Sequence, residues 1–366
     1  MKEQSTVRLG IIGMGGMGVA HARNILEGKV PGMRLAAIAD RVQERLQGYG
    51  DDVKNFSDAI EMMESGTVDA VLIATPHYSH TPLGIAALER GLHVMVEKPI
   101  SVHKADCERL ISAWKDRSIV FGAMFNQRGN PHYGKLRKMI QSRELGTIQR
   151  VNWIITDWYR TSAYYGSGEW RATWGGEGGG VLLNQCPHNL DLLQWLFGMP
   201  KKITALCQFG RFHDIEVEDA VTALLEYPDG ATGVFITSTG EAPGVNRLEV
   251  AADRGRVVIE NGVFKFERTE MPVSEHSRTA THSFKKPEHW EITIPMGEGS
   301  SGHVGILRNF AAAILHGEPL IAPAVEGIHS VELANAMLYS TFTQQPVELP
   351  LDSSAYEAAL KARSKA

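Results

Sequence analysis

Apolar and polar residues over the first 130 positions alternate between two periods. Val7–Ile12 is an apolar run of strand length that ends in a glycine string, Gly13, Gly15 and Gly18. The segment VAHARNILEG after it carries helical spacing and stops at Gly28. LAAIAD reads as a second strand and ends in Asp40. VDAVLIATP (68–76) has the continuous apolar character of a buried parallel strand, SHTPLGIAALERG is a helix with Gly91 just past its end, and HVMVEKP (93–99) is another strand. A helix from about His103 to Trp114 and the strand SIVFGAMF complete the series. Strands alternating with helices of this length predict an α/β domain built on a doubly wound parallel sheet.

From Ile148 the pattern changes. IQRVNWIITDWYR, ITALCQFGRF, EDAVTALLEY, ATGVFITSTG, NRLEVAAD and GRVVIENGVFKFE alternate or run apolar at strand length, separated by turns such as PDG and ENG. Successive strands without helices between them predict a mainly antiparallel sheet. Thr269–Pro287 is polar and reads as an exposed loop, helices are expected near 303–316 and 325–343, and VELP is a final strand. The boundary falls near residue 130, so the expected domains are 1–130 and 131–366, which agrees with the two domains a chain of 366 residues suggests.

Charge adds mainly exclusions. The 37 basic and 42 acidic residues are nearly balanced, with no basic stripe for a nucleic acid. No apolar run has the length of a membrane span, and the polar start MKEQST lacks the apolar core of a signal peptide. Cys107, Cys186 and Cys207 are odd in number and form no CxxC pair, which suits a reducing compartment. A cytoplasmic protein without membrane or nucleic-acid partners is expected.

The order strand, G-x-G-x-x-G, helix, strand, acid is what a dinucleotide requires. Glycines let the backbone approach a pyrophosphate, the helix N-terminus attracts its charge, and the acid on the next strand takes ribose hydroxyls. Gly13, Gly15, Gly16, Met17 and Gly18 are therefore cofactor candidates, with Asp40 at the ribose. A carboxylate there disfavours a 2′-phosphate and points to NAD, while Arg41 beside it leaves NADP open. Ligands of such sheets sit beyond the carboxyl ends of the strands. Those ends supply Thr75, His77, His80, Glu97, Lys98 and Asn126 as further cofactor contacts. Lys98 is the most informative of them. Desolvation and a neighbouring nicotinamide would favour its neutral amine, and such a lysine can take a proton at neutral pH.

In GGGVLLNQCPHNLDLLQW (178–195), Asn184, His188 and Asp191 are spaced by four and three. One reading makes Asn184 a helix N-cap with Pro187 in the first turn and Leu190, Leu193 and Phe197 as the buried stripe. A metal site lacks a second histidine or cysteine at ligand spacing, so no metal is assigned. On a helix, Asn184 and His188 at i and i+4 would share a face, and the three glycines would allow close approach to a nicotinamide domain.

GMGGMG, ATPHYSH, EKP and GGG-x-L-x-N-x-x-x-H together resemble the Gfo/Idh/MocA oxidoreductases, and the resemblance runs through nearly the whole chain, including NFAAAILHGEPLIAPAVEGIHSVELANAMLYS. It implies a Rossmann domain followed by a C-terminal α+β domain with a large, mainly antiparallel open sheet. It also implies an NAD(P)-dependent dehydrogenase acting on secondary hydroxyls of sugars and cyclic polyols, and dimers or tetramers formed through those sheets. The acid–base pair would be Lys98 and His188, with His188 as the immediate base and Lys98 stabilising the alkoxide, or the reverse. The family aspartate four residues before the histidine is Asn184 here, which carries no charge and can instead hydrogen-bond a substrate hydroxyl.

Between the first strand of the second half and the glycines, Trp158, Tyr159, Tyr164, Tyr165, Trp170 and Trp174 interleave with Arg160 and Arg171. Aromatic faces suit the C–H faces of pyranose rings and arginines suit hydroxyls or an acid group, although a packed loop or subunit contact has the same composition. Trp170 and Arg171 are the substrate candidates, with Asn184, Arg128 and His303 beside them. The asparagine leans toward oxidation at ring C3, as in sugar-nucleotide 3-dehydrogenases. The alternatives are an NAD-recycling glycosidase and a non-catalytic regulator that senses NAD or sugar.

Overall fold

A computed structural model describes residues 6–295 and 302–364. The apolar runs of the first third form β1 (Val7–Ile12), β2 (Met33–Ala39), β3 (Lys54–Phe56), β4 (Ala70–Ile73), β5 (His93–Val96) and β6 (Phe121–Ala123). These make one parallel sheet in the order β3-β2-β1-β4-β5-β6. The strand order reverses between β1 and β4, the position where doubly wound sheets open a ligand crevice. Strand periodicity explains why these runs are apolar throughout. Ala70, Leu72 and Met95 pack in one core layer, and Val71, Ile73, Val94 and Val96 in the layer on the other face.

The second sheet follows as β7 (Ile148–Ile155), β8 (Lys202–Phe209), β9 (Glu218–Glu226), β10 (Thr232–Ser238), β11 (Asn246–Ala252), β12 (Gly255–Glu260), β13 (Val263–Thr269), β14 (His289–Ile294) and β15 (Val347–Glu348). Its nine strands run β14-β13-β12-β11-β7-β10-β9-β8-β15, antiparallel except for the β10–β7 pair. Burial here has period two. Val151, Trp153 and Ile155 of β7 and Val221, Ala223 and Leu225 of β9 are buried, while Thr222 and Leu224 between the latter are exposed. The chain divides into two compact units. One comprises Met1–Gly129, Gly175–Gly178 and Ser300–Glu332, and the other Asn130–Trp174, Gly179–Gly299 and Leu333–Ala366.

Several elements depart from the expected pattern. β3 and the helix Ala59–Glu64 were not foreseen, because each is too short to show a period. The stretch Thr269–Pro287, expected as a loop, contains the helix Val273–Thr279, whose residues are half-buried or exposed and carry no apolar stripe. The exposed strand β14 and the C-terminal helix Ser353–Arg363 were also missed. The helix had signals to offer: Asp352 caps it by accepting from Ser354 and Ala355 N–H, and Tyr356 and Leu360 are buried at i and i+4. Among the described residues, no helix is long and apolar enough to cross a membrane. Cys107, Cys186 and Cys207 are buried free thiols.

The glycines before the helix of interest serve packing within the protein. A Cβ on Gly180 would stand 2.0 Å from the Glu218 carbonyl oxygen, at the start of β9. The Glu218 side chain, fully buried, accepts from Gly180 N–H at 2.8 Å and Leu182 N–H at 3.0 Å. Only glycine permits that approach. Gly180→Ala is expected to destabilise the protein by at least about 2 kcal/mol in urea unfolding. Gly175→Ala, where a Cβ meets nothing within 4 Å, is the matched control. Equal midpoints for the two variants would refute this account.

Candidate active site

Gly13 leaves β1 at φ 91°, and a Cβ there would meet the Ala74 carbonyl oxygen at 2.8 Å. A Cβ on Gly18, in the first turn of the helix Gly16–Leu26, would lie 2.0 Å from the Gly13 carbonyl oxygen. These two glycines are demanded by the loop itself. At Gly15 and Gly16, by contrast, a Cβ meets nothing within 4 Å. Gly15 is the N-cap and supplies no side-chain acceptor, so the first-turn N–H groups and their partial positive charge are left for an external anion. Met17 is exposed beside them.

Asp40 ties this loop to the end of β2. Its Oδ2 accepts from Met14 N–H at 2.7 Å and its Oδ1 from Val42 N–H at 2.8 Å. Each oxygen keeps a lone pair for a ribose hydroxyl. Arg41 is exposed, and Arg45, which sequence reasoning passed over, brings Nη1 to 3.6 Å from Asp40 Oδ2.

The ends of β4, β5 and β6 carry a buried polar cluster. Glu97 Oε1 lies 2.7 Å from His21 Nε2, and Oε2 accepts from Lys98 N–H at 3.1 Å. Burial alone would raise the Glu97 carboxyl. The His21 hydrogen bond and the positive charges of His21, Lys98 and His303 outweigh it and hold the group down at about 2. His303 opens the helix His303–His316, and its ring meets His21 edge-on at 5.5 Å. Asn126 Nδ2 stands 3.2 Å and 3.3 Å from the two ring nitrogens of His303. His80 is buried between two carbonyls, with Nδ1 2.7 Å from Pro99 O and Nε2 2.8 Å from Thr75 O. Its burial outweighs both acceptors and pushes the imidazole below its ordinary range. His77 Nδ1 lies 3.4 Å from the Glu177 carbonyl.

His21 was missed from the sequence. The available signal was a polar residue on the buried face Gly18, His21, Ala22 and Ile25 of the first helix. Among the described residues of this unit, five buried side-chain atoms have no hydrogen-bond partner: His21 Nδ1, Thr67 Oγ1, Thr75 Oγ1, Asn126 Oδ1 and His329 Nδ1. Three of them, on His21, Thr75 and Asn126, belong to residues at the ligand end of the parallel sheet or on the helix behind the glycine loop. A dinucleotide, with pyrophosphate, ribose hydroxyls and a carboxamide, offers the donors and acceptors that these atoms and the glycine loop lack, so the residues fit one. Arg128 has a different place. Its guanidinium is buried on Glu326 and donates to the Ile321 carbonyl at 3.2 Å, a structural tie rather than an open contact.

In the second unit the helix is Pro187–Phe197 with Cys186 as N-cap and Pro187 at its first position. Asn184 is therefore neither the cap nor on the helix, and it lies in the preceding turn with its N–H on the Gly180 carbonyl at 2.9 Å. The expected i, i+4 face shared with His188 does not form. The buried stripe also ends at Leu196 rather than Phe197. His188 is buried in the first turn, and Asp191, fully buried, accepts from Gln194 Nε2 at 3.2 Å. Asn184 Oδ1 accepts from the Tyr164 hydroxyl at 3.2 Å and from Gln185 Nε2 at 3.2 Å. Arg171 donates to the Tyr164 hydroxyl at 2.9 Å and lies over the Trp170 ring. Arg171, Trp170 and Asn184 are thus brought together around Tyr164. Trp174, from the same aromatic segment, is core and packs on Phe209 and Phe342.

Comparison with known proteins covers both units. Residues 7–125 match the model of an oxidoreductase family's NAD-binding Rossmann fold, and residues 133–258 match the GFO/IDH/MocA C-terminal domain. Inositol 2-dehydrogenase of Rhizobium meliloti is 26% identical over 353 residues, 94% of this chain and 99% of that protein. The WlbA dehydrogenase of Bordetella pertussis, solved with NADH and UDP-GlcNAcA, superposes with a TM-score of 0.79 at 24% identity, covering 95% of this chain and 100% of the other. Levoglucosan dehydrogenase, solved with NADH and levoglucosan, gives 0.77 at 20% identity, covering 94% and 100%. At such identities the solved structures establish the fold.

Two outcomes follow from this geometry. Gly15→Ala is expected to unfold with the wild-type midpoint while binding NADH about ten-fold more weakly in a fluorescence titration, because its methyl enters only the space before the helix. An unchanged affinity would remove Gly15 from the cofactor site. Burial also lowers the imidazoles of His80, His93 and His303 from 6.5. Below that value the unfolded chain takes up protons that the folded chain refuses, so stability falls as pH drops from 7 through 6. Glu97, lowered from 4.5 to about 2, adds a second loss as pH falls from about 4.5 toward 2. Thermal melts at pH 7.5, 5.5 and 3.5 check both stages, and a midpoint that rises on acidification contradicts them.

Proposed function

The chain belongs to the Gfo/Idh/MocA family of NAD-binding oxidoreductases, and from that membership we propose that it is a dehydrogenase of a secondary ring hydroxyl in a sugar, glycoside or inositol. The substrates named for the inositol, levoglucosan and WlbA dehydrogenases support a polyhydroxylated ring. Ring C3 is the first position to assay. Bound NAD⁺ supplies the hydride acceptor. Gly13, Gly15, Gly16, Gly18 and Asp40 would hold it, with Thr75, Glu97 and Asn126 at the strand ends.

The observation that carries this reading is the ionised, buried Glu97 next to Lys98 at the ligand end of β5. A fixed carboxylate balances an ammonium at that place. Lys98 is therefore assigned to stabilise the alkoxide as it develops, and His188 to take the hydroxyl proton. Asn184 cannot stabilise an imidazolium by charge. It orients a sugar hydroxyl through its amide, which Tyr164 and Gln185 already fix. The exposed face of the nine-stranded sheet, which carries Leu206 and Leu224, is the surface proposed for self-association.

NADH production measured across inositols, hexoses, pyranosides and sugar nucleotides tests the function. Lys98→Ala and His188→Ala are each expected to lower kcat about 10²- to 10⁴-fold on the best substrate, with melting points showing that the variants fold. Near-wild-type turnover by both would sink the assignment.

A further inference from the structure

The segment after β7 gathers two guanidinium groups around one phenol. The Arg171 guanidinium carbon is 4.6 Å from the centroid of Tyr164 and 4.6 Å from that of Trp170. Arg160 places its own 5.0 Å from Tyr164 and 5.6 Å from Trp158. Arg171 uses one N–H on the Tyr164 hydroxyl, and Arg160 uses Nη1 on the carbonyls of Trp158 and Tyr159. Most of each five-donor fork remains available.

Among the described residues, no carboxylate pairs with either arginine. Four acids of neighbouring segments accept hydrogen bonds from other groups. Glu216 accepts from Trp174 N–H, Asp157 from the Asn246 amide, Glu218 from Gly180 and Leu182, and Asp219 from the N–H groups of Arg211, Phe212 and His213. Glu169 is exposed. The partners of the Tyr164 hydroxyl, Asn184 and Gln185, are neutral amides. An aspartate at 184 would offset one of the two charges, and the asparagine leaves both standing. Guanidinium groups held on aromatic faces are positioned and partly dehydrated, which strengthens their pull on an anion.

We propose that Arg171 and Arg160 form an oxyanion subsite for a sugar substrate, so that the preferred alcohols carry a carboxylate or a phosphate. The proposal rests on the dehydrogenase reading, because Asn184 and Gln185 lead directly into the helix that bears His188. Both oxyanions match the guanidinium fork, and the two sources are separated by experiment.

NAD reduction is measured with two matched pairs: glucuronate against glucose, and glucose 1-phosphate against methyl glucoside. In at least one pair the charged member is expected to exceed its neutral partner about ten-fold or more in kcat/KM, and that pair identifies the oxyanion. Arg171→Gln is expected to reduce the ratio about ten-fold, mainly through KM, Arg171→Lys to restore part of it, and Asn184→Asp to lower it. Preference for the neutral member in both pairs, or a ratio untouched by Arg171→Gln, overturns the subsite and leaves the dehydrogenase intact. If no sugar is oxidised, the dehydrogenase reading fails, and the subsite is read by calorimetry of glucuronate and glucose 1-phosphate onto the NADH-loaded protein. Binding that weakens about ten-fold in Arg171→Gln supports it, and binding absent from wild type or equal in both overturns it.

Discussion

A carboxylate sealed from water must be matched by hydrogen bonds and positive charge, and Glu97 meets that condition with His21 Nε2 on one oxygen and the Lys98 N–H on the other. Much of the first unit's chemistry follows from this pairing. It joins the first helix to the end of β5 and favours the carboxylate form next to Lys98, and the His303 ring meets His21 edge-on. Removing either partner would leave the other buried and unmatched. The strand ends are polar because the sheet they terminate is buried on both faces, and only beyond its last residues can hydrogen-bonding groups meet a ligand.

The second unit is arranged by a different constraint. Its sheet is buried on one face, so a helix and a loop must cover that face, and Glu218 secures the covering segment through the N–H groups of Gly180 and Leu182. This brings the chain into the turn that holds Asn184 and on to Pro187, where the helix carrying His188 begins. The turn also fixes what lies around Tyr164. Neutral amides and Arg171 meet its hydroxyl, guanidinium groups lie over its ring, and Glu216, Glu218 and Asp219 accept from main-chain N–H groups.

Much of the fold was legible from period alone. The runs at Val7, Ala70 and His93 were continuous because both faces of their sheet are covered, and the strands after Ile148 alternated because only one of theirs is. The glycine loop was legible because backbone sterics restrict Gly13 and Gly18 to glycine. The exposed helix Val273–Thr279 and the strand His289–Ile294 gave no comparable signal, since neither buries a face. Asn184 was misread for a related reason: asparagine suits a helix N-cap and a turn equally well, and local propensity does not separate them.

From the order of its residues alone, the chain determined a parallel α/β unit with a dinucleotide-type loop and a mainly antiparallel second sheet. These depend on local sterics and on strand or helix period, both of which act over a few neighbouring positions. Tertiary structure alone decided that His21 would hold Glu97, that Arg128 would be buried on Glu326, and that, among the described residues, Arg160 and Arg171 would stand without a carboxylate partner. Each of those outcomes depends on which distant groups meet and which charges are left over, and a contact between residues far apart in the chain leaves no period in the sequence.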